Sequence, residues 1–368
     1  MNKTIHINKY RLIPAALVVL GFTAALFLRG EAAAAGAATG LALCGQIVVP
    51  SLFPFLCAAL FISKSGLADL LGRILGPVVP RLFRLPAAAA GPILLSFVAG
   101  YPVGARLTRG LYEAGQVTAA QANTMLLFTV NAGPAFVVTA VGAGMLHTSA
   151  AGWLLLAAHI SASLLIGIGM GHIDGCHMPV RDLCKKPPAS GRPAIMAAFV
   201  EAVSDASASM LQICGWVVLF SVILALLRSS GLPAALTSLL AGLSEVTTGT
   251  AAAAASRNLP LIAALLGWGG LSVQFQSLSS LGKLRPNYGR FFAARAVHGL
   301  LSMGIAYILL RIFPAAVPTA ADAAVRPATS GLSLPAALGL LLLMTVFLCF
   351  SSKGGQQSAG VRLWPQRR

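Results

Sequence analysis

The chain has 368 residues, of which 57% are hydrophobic and only 10% are charged, with a mean hydropathy of +0.83. Soluble domains carry about 25% charged residues, so this composition excludes a soluble protein and indicates one that crosses the membrane several times. The formal net charge of +17 lies in short links between apolar runs rather than in a polar domain, which excludes a nucleic-acid-binding module.

The first apolar runs predict two spans and a helix on the membrane surface. Residues 13–28 are expected to form an uncleaved first span, because the basic residues before it keep the N-terminus in the cytoplasm. A cleaved signal peptide is the alternative for the same residues. Residues 41–63 follow as a second span bent by Pro50 and Pro54, and the cationic stretch 67–83 suits an interfacial helix.

Two interrupted segments come next. Residues 92–111 predict a re-entrant hairpin that turns within 100–104, Gly-Tyr-Pro-Val-Gly, and residues 119–146 predict a span broken at 131–134, Asn-Ala-Gly-Pro. Proline removes a backbone donor and glycine loosens a helix, so both breaks leave peptide groups without helical partners. In hydrocarbon such groups must be buried in protein or line a wet cavity, and transporters build binding sites from helices broken in this way.

The remaining apolar runs repeat this order of elements. They predict a span at 153–171 and then, in the second half, a span, an interrupted hairpin, a broken span and a further span, at 210–227, 236–255, 259–281 and 291–313. The second hairpin is expected to turn within 242–249, and the second broken span to be interrupted within 267–274. Basic residues place the loop 172–193 in the cytoplasm, and 314–333 is expected on the opposite side.

This order predicts an all-α polytopic membrane protein, built as an inverted repeat of two units with re-entrant hairpins and broken helices. Three crossings per unit force the units into opposite orientations, and the whole chain is expected to make about eight spans. The predicted segments are an N-terminal span at 1–40, the first repeat at 41–172, a cytoplasmic loop at 173–195, the second repeat at 196–313, and a linker, last span and basic tail at 314–368.

Short motifs at the breaks resemble a known family. SLFPF at 51–55, FVAGYPVGA at 97–105, NAGPAFV at 131–137 and GGLSVQ at 269–274 are similar to the sporulation integral membrane protein YlbJ family. That family is part of the nucleoside-recognition or Gate-domain group, which is more distantly similar to concentrative nucleoside transporters. The resemblance implies two Gate-like repeats and a role in endospore formation, with dipicolinic acid passing from the mother cell toward the forespore. It also implies a multi-pass protein of the cell membrane, which in sporulating cells is the outer forespore membrane.

Glu245 is the one acidic residue predicted at membrane depth. An ionisable group there is costly and marks a functional site by default, so Glu245 is expected to hold a proton or a coupling cation. The alternative is a carboxyl group that caps a helix, because Ser244-Glu245 is also typical of a helix start. Positive potential for an anionic substrate is expected from helix N-termini at the breaks, without a buried arginine.

Polar groups near the breaks complete the predicted substrate site. Amides and hydroxyls there can bind a ligand or satisfy the freed backbone, and ligand contact is the favoured interpretation. Packing is favoured for the tyrosine, however, and threonines often bond back to their own helix. The full prediction for substrate binding is Tyr101, Gly104, Asn131, Gly133, Glu245, Thr247, Thr248, Gly270, Ser272, Gln274 and Gln276. Arg106 and Arg109 are expected to be topology-setting charges rather than guides for anions at an entrance.

Metal binding and enzymatic activity are not expected. The spacing of the ligand-type side chains after residue 171 matches no paired-ligand zinc pattern, although this loop contains His172, Asp174, Cys176, His177 and Cys184. The sequence has no nucleophile elbow, phosphate loop or paired-histidine motif in a suitable context, and His159 has no carboxylate near it along the chain.

The sequence therefore predicts a secondary-type transporter of a small anionic solute, with dipicolinic acid as the solute that the resemblance implies. A transporter of a nucleoside-like solute and a non-transporting scaffold for spore-envelope assembly are the alternatives. The expected partners are a small-molecule substrate and the lipid bilayer, with no nucleic acid, and a homo-oligomer stays open. No cofactor is expected beyond a coupling proton or Na+.

Overall fold

The computed structural model describes residues 9–67, 72, 74–174 and 195–314, and all regular structure in these ranges is helical. The first half contains α1 (Lys9–Leu28), α2 (Gly30–Leu43), α3 (Val49–Lys64), α4 (Val78–Phe83), α5 (Ala90–Ala99), α6 (Tyr101–Glu113), α7 (Ala119–Leu126) and α8 (Ser149–Ile173). A π-helical turn (Cys44–Val48) joins α2 to α3, and a π-helix (Ala135–Met145) lies between α7 and α8. The second half contains α9 (Ile195–Ser229), α10 (Ala234–Ser244), α11 (Val246–Ala254), α12 (Leu259–Trp268), α13 (Gly270–Ser279) and α14 (Tyr288–Ile312).

Several helices are long and apolar enough to cross a membrane, which identifies an integral membrane protein. By length and composition, the described residues contain five such stretches: Gly30–Lys64, Ser149–Ile173, Ile195–Ser229, Leu259–Ser279 and Tyr288–Ile312. The all-helical membrane architecture is therefore confirmed, while the count of about eight spans stays a prediction. The last span, which the apolar run at 334–350 predicts within the segment 314–368, lies outside the described residues.

The order of elements in the first half recurs in the second. A long helix opens each half, α2 with α3 in the first and α9 in the second. A hairpin of two short helices comes next, α5–α6 and α10–α11, although in the first half α4 lies before it without a counterpart among the described residues of the second half. A broken helix follows in each half, α7 with the π-helix and α12 with α13. A second long helix, α8 or α14, closes each half.

The hairpin turns are narrower than the sequence predicts. The first hairpin turns at Gly100 alone (φ 88°, ψ 178°), so Pro102 and Gly104 lie inside α6 rather than in the turn. A proline in the first helical turn gives up no helical hydrogen bond, and Pro102 therefore begins a helix instead of breaking one. The second hairpin likewise turns at Glu245 alone and not over 242–249.

One of the two broken helices has a narrower break than the sequence predicts, and the other has a wider break. The second broken helix is interrupted only at Gly269, between the end of α12 and the start of α13, and not over 267–274. The first lacks helix over 127–133, which is wider than the predicted break at 131–134. An apolar stretch such as Leu127–Val130 carries no local signal for a break, so its conformation must be imposed by other parts of the fold.

One helix start near the N-terminal side also differs from the prediction. The second span begins at Gly30 rather than at residue 41, because the Ala-rich stretch after Arg29 is helical and continues into α3. Within the predicted interfacial stretch 67–83, residues 67, 72, 74 and 75 are helical and α4 covers Val78–Phe83, while 68–71 and 73 lie outside the described residues.

The long helices that open the two halves run antiparallel. Lys64 at the end of α3 forms ion pairs with Glu201 and Asp205 near the start of α9, at 3.1 and 3.0 Å. Arg29, just before α2, donates to the carbonyl of Ser229 at the far end of α9. The start of one helix therefore lies beside the end of the other.

The long helices that close the two halves show the same relation. Asp174, which follows α8, lies 2.6 Å from Arg290 near the start of α14. Farther along, the ring of His298 on α14 bonds to the carbonyl of His159 on α8 at 3.0 Å. The end of α8 is thus beside the start of α14, and the two helices are antiparallel.

Close helix packing in this structure depends on glycine. A Cβ atom on Gly40 of α2 would lie 2.8 Å from the Cα atom of Val218 on α9, and one on Gly36 would lie 2.9 Å from that of Val222. Between α12 and α14, a Cβ atom on Gly267 would lie 2.7 Å from the Cα atom of Gly299. Small residues let membrane helices approach backbone to backbone, where dispersion contacts and interhelical bonds replace the hydrophobic effect.

Candidate functional site

In each half, the turn of the hairpin lies against the break of the broken helix. A Cβ atom on Gly133 would be 3.0 Å from the carbonyl oxygen of Val98 and 3.1 Å from the nitrogen of Gly100. In the second half, a Cβ atom on Gly270 would be 3.0 Å from the Cα atom of Glu245. Both contacts are between backbones, so only glycine fits at Gly133 and Gly270 without displacing the hairpin.

The two halves meet at Tyr101, the first residue of α6. Its hydroxyl group donates a 2.8 Å hydrogen bond to the carbonyl of Leu266 at the end of α12. Its ring lies beside Gly269, where an added Cβ atom would be 3.3 Å from Cε1. The first hairpin is therefore in direct contact with the break of the second half.

A cavity of about 70 Å³ lies at this junction. Its polar lining comes from residues that the sequence predicts for the site: Tyr101, Gly133, Glu245, Thr247, Ser272 and Gln276. Its apolar wall comes mainly from α3, α9 and the π-helix, with Leu52, Phe55, Leu56, Ile213, Trp216 and Phe136. A cavity of this size holds several waters, and its polar groups come from both halves of the chain.

The other predicted residues do not line the cavity. A Cβ atom on Gly104 would be 1.8 Å from the carbonyl oxygen of Thr129, so Gly104 allows α6 to pack on the first break. Gly270 packs on the second hairpin as described above, and the backbone nitrogen of Thr248 donates to the carboxyl group of Glu245, which caps α11. The amide nitrogens of Asn131 and Gln274 donate to the carbonyls of Phe128 (2.7 Å) and Trp268 (2.8 Å).

Asn131 and Gln274 thus satisfy freed backbone groups, which was the alternative interpretation for them. Their carbonyl oxygens, Oδ1 and Oε1, are nevertheless buried and have no partner among the described residues. A buried acceptor without a partner is uncommon and calls for an explanation such as an ion or a water. Whether these two residues, or any residue of the predicted set, bind a ligand stays a prediction.

Glu245 caps a helix, which was the alternative interpretation for it, and its side chain also reaches the cavity. It is the N-cap of α11, and its Oε2 atom accepts a 2.6 Å hydrogen bond from the backbone nitrogen of Thr248. It is also only 2% exposed and lines the cavity. A carboxylate is stabilised at a helix N-terminus by the unpaired amides and the helix dipole, so the fold itself holds this group at the cavity.

A buried arginine, which the sequence analysis did not expect, supports the first break. Arg295 of α14 is 1% exposed, and its guanidinium donates to the carbonyls of Val130 (2.5 Å) and Leu127. His159 of α8 accepts a 3.0 Å bond from the nitrogen of Ala132 in the same break. Side chains of α8 and α14 therefore replace the helical partners that this segment lacks.

Arg295 was missed because the sequence analysis placed it within an apolar span without assigning it a role. The signal was present, since an arginine inside a membrane helix is rare and marks a functional or structural centre. His298, one turn along the same helix face, bonds to Arg295 at 3.2 Å between Nδ1 and Nη1. The spacing of a cation and an imidazole on one face of α14 could have identified the pair.

The remaining charged residues singled out in the sequence lie away from the cavity. Arg106 donates to the hydroxyl group of Ser209 at 2.9 Å, and Arg109 donates to the carbonyl of Ser280 at 3.0 Å. Within the described residues, no group of three or more histidines, cysteines and acidic residues could hold a metal ion. In the polar loop, Cys176, His177 and Cys184 lie outside the described residues, and Asp174 pairs with an arginine of α14 as noted above.

Comparison with known proteins confirms the resemblance that the motifs predict. Residues 46–149 match the Gate family model, described as nucleoside recognition. The chain is 25% identical over 334 residues to the sporulation integral membrane protein YlbJ of Bacillus subtilis (strain 168), covering 80% of this chain and 82% of that protein. No solved structure matches the chain. The Gate match spans the first hairpin and the first broken helix, which supply part of the lining of the cavity.

Proposed function

We propose that this integral membrane protein is a secondary-type transporter of a small anionic solute, which binds in the cavity between the hairpins and the broken helices. One observation carries the proposal: two backbone breaks from different halves of the chain meet at a cavity lined by Glu245, Ser272 and Gln276. Irregular backbone at membrane depth is tolerated where it lines a cavity, and transporters use such breaks to bind substrate near the midplane.

The antiparallel pairing of matching helices supports an inverted repeat. The helices that open the two halves run antiparallel, as the ion pairs of Lys64 with α9 indicate. The helices that close them are antiparallel as well, through the pair of Asp174 and Arg290. Transporters whose halves are inverted in this way expose a central site alternately to the two sides by rocking one part against the other.

The lining favours a planar ring that carries acceptor groups. Trp216 and Phe136 offer aromatic faces on the apolar wall, and hydroxyl and amide groups lie on the polar side. Aromatic rings pack favourably against such side chains in offset or edge-to-face arrangements. Dipicolinic acid, the solute implied by the resemblance, is a planar ring with two carboxylates. The role of moving it from the mother cell toward the forespore, across the outer forespore membrane, belongs to the same proposal.

Substrate entry requires the helices around the cavity to move. A volume of about 70 Å³ accommodates waters, whereas small-molecule sites usually measure hundreds of cubic ångströms. In the described arrangement the cavity is therefore too small for such a solute, and α3 and α9, which form the apolar wall, are the elements whose displacement would widen it. Coupling to a proton or to Na+ through Glu245 would supply the energy for accumulation.

Uptake of dipicolinate into liposomes that contain the purified full chain tests the proposal. We expect uptake above that of protein-free liposomes, strongly reduced by Trp216→Ala, because this change removes an aromatic wall of the cavity. Trp153→Ala is the matched control, since Trp153 is 60% exposed on the outside of α8 and should leave uptake unchanged. Uptake of uridine without dipicolinate would favour the nucleoside-like alternative suggested by the Gate match. Flux of neither solute would favour a scaffold for spore-envelope assembly.

A further inference from the structure

We propose that Arg295 determines the preference of the cavity for anions, as a fixed positive charge held behind the site by the broken backbone of the first half. This inference rests on the proposed transport of an anionic solute and names a residue outside the predicted substrate site. Arg295 does not line the cavity, so it acts as a specificity-determining residue through its charge rather than through contact with the substrate.

The charge of Arg295 has no acidic partner among the described residues. Its guanidinium is 1% exposed and bonds to two backbone carbonyls and to the ring of His298. Buried charges are normally paired with an opposite charge, because carbonyl dipoles solvate an ion without cancelling its charge. Arginine keeps its proton under all ordinary conditions in proteins, so the interior of this fold retains a full positive charge.

The two histidines beside Arg295 neither add to this charge nor cancel it. His298 accepts from the guanidinium at Nδ1 and donates from Nε2 to the carbonyl of His159, 3.0 Å away. An imidazole that accepts at one nitrogen and donates at the other is neutral. His159 accepts from the backbone of Ala132 at Nε2, so it too has a free lone pair and is neutral.

The charge is connected to the cavity by the segment that it holds. Arg295 binds the carbonyl of Val130, and the same unwound segment continues to Gly133, which lines the cavity. Tyr101, also in the lining, is within electrostatic range of both Arg295 and Glu245. The cavity therefore has a carboxyl group in its lining and a permanent cation behind the segment that supplies Gly133.

This arrangement links anion binding to the state of Glu245. With Glu245 ionised, the two fixed charges cancel at the cavity, and an anion gains little by entering. When Glu245 is protonated or bound to a cation, the positive charge of Arg295 is uncompensated and attracts the anion. Binding of the coupling ion and binding of the solute then strengthen each other, and linkage requires the effect to be reciprocal. The other titratable groups in range are Tyr101, His159 and His298 near Arg295, and Tyr101 and Cys44 near Glu245.

The test compares a dianion with its neutral counterpart on the full chain. Binding of dipicolinate and of the neutral diamide of the same ring is measured by calorimetry in detergent for the wild type, Arg295→Gln and Arg295→Lys. We expect Arg295→Gln to weaken dipicolinate roughly tenfold or more and to leave the diamide within about twofold, because Coulomb attraction in a low-dielectric site acts only on the charged ligand. Arg295→Lys should keep most of the preference, since it preserves the charge while losing the planar fork. Arg311→Gln, an exposed arginine on the same helix, is the matched control and should change neither ligand.

Three outcomes would overturn the inference. Equal weakening of dipicolinate and diamide by Arg295→Gln would mean that Arg295 only supports the fold of the break. If Arg295→Gln does not fold, loss of the preference for dipicolinate in a folded Arg295→Lys protein would show that the charge is not the determinant. Failure of the wild type to bind either ligand would instead overturn the proposed transport function, and this inference with it.

Discussion

At the scale of single residues, the breaks in this fold are stabilised by individual side chains. Tyr101 and Gln274 each satisfy a carbonyl at the second break, and Arg295 satisfies two at the first. An unsatisfied peptide group in hydrocarbon costs several kcal/mol, so the hydrogen bonds from these side chains stabilise the irregular backbone. Glu245 also has a backbone partner, at the start of α11, and like Tyr101 it lines the cavity as well.

Glu245→Gln should separate these two roles. The amide oxygen can still accept from the backbone of Thr248, so the cap of α11 and the binding of substrate should be retained, while the titratable charge is lost. We expect transport by this variant to lose its dependence on pH or on the coupling ion, with net accumulation impaired. The measurement is the accumulation ratio of substrate in liposomes at several imposed ion gradients.

Glu201→Gln is the matched control for this experiment. Glu201 is an exposed carboxylate that pairs with Lys64 at the surface and should leave the ion dependence intact. A Glu245→Gln protein that binds substrate more weakly but keeps its ion dependence would show that the carboxyl group is a structural cap. Glu245→Ala should in addition destabilise the protein by about 1 kcal/mol through loss of the cap.

At the scale of helices, the sequence predicts where breaks occur better than how wide they are. The glycines and the proline at 100–104 located the first hairpin turn, and the glycines at 267–274 located the second break, since these residue types interrupt helices. They could not show that Pro102 begins α6, because a proline in a turn and one in a first helical turn look alike in sequence. The non-helical state of 127–133 is set by Arg295 and His159 on other helices, so it is a tertiary property without a local signal.

The residues of the candidate site likewise divide into those that have a local signal in the sequence and those that are placed by tertiary packing. Tyr101, Gly133 and Glu245, which the sequence predicts for the site, line the cavity because they belong to the turns and breaks themselves. The aromatic wall, including Trp216, was not predicted, since an apolar side chain on a membrane helix carries no sign of whether it faces lipid or a cavity. That distinction depends on how α9 packs against the rest of the molecule.

The glycine contact between α2 and α9 gives a prediction for helix packing. Gly40→Ala places a methyl group within 2.8 Å of the backbone of Val218, so the helices must separate, and overpacking of this kind typically costs about 1–3 kcal/mol. We expect a lower midpoint of thermal unfolding in detergent, despite the better helix propensity of alanine. Gly215→Ala in α9 is the matched control, because no atom lies within 4 Å of its added methyl group. Equal behaviour of the two variants would show that the contact does not contribute to stability.

At the scale of the whole molecule, the antiparallel pairs predict the sides on which helix ends lie. Ser230 follows α9, next to the end where Arg29 contacts that helix, and Lys283 lies between α13 and α14, near the pair of Asp174 and Arg290. An inverted repeat with a cytoplasmic N-terminus places Ser230 outside and Lys283 in the cytoplasm. The loops used for the sequence prediction, 172–193 and 314–333, lie largely outside the described residues.

Single cysteines at these two positions test the topology in a background without the native cysteines. Ser230→Cys should react with an impermeant maleimide in intact cells, whereas Lys283→Cys should react only after permeabilisation. Both residues are exposed, so poor access does not explain a negative result. Labelling of both from the same side would contradict the inverted arrangement.

The antiparallel pairing of corresponding helices also bears on how such a protein could originate. If the two halves descend from one duplicated gene, the ancestral half-length chain would have built this cavity only as a pair of identical subunits. One copy would have had to insert in each orientation, which requires a nearly even distribution of positive charge on its two sides. Fusion of the copies would then have fixed one orientation for each half. After that event a cation such as Arg295 could arise in one half alone. The two halves would then keep a symmetric arrangement of helices while the electric field across the cavity became asymmetric.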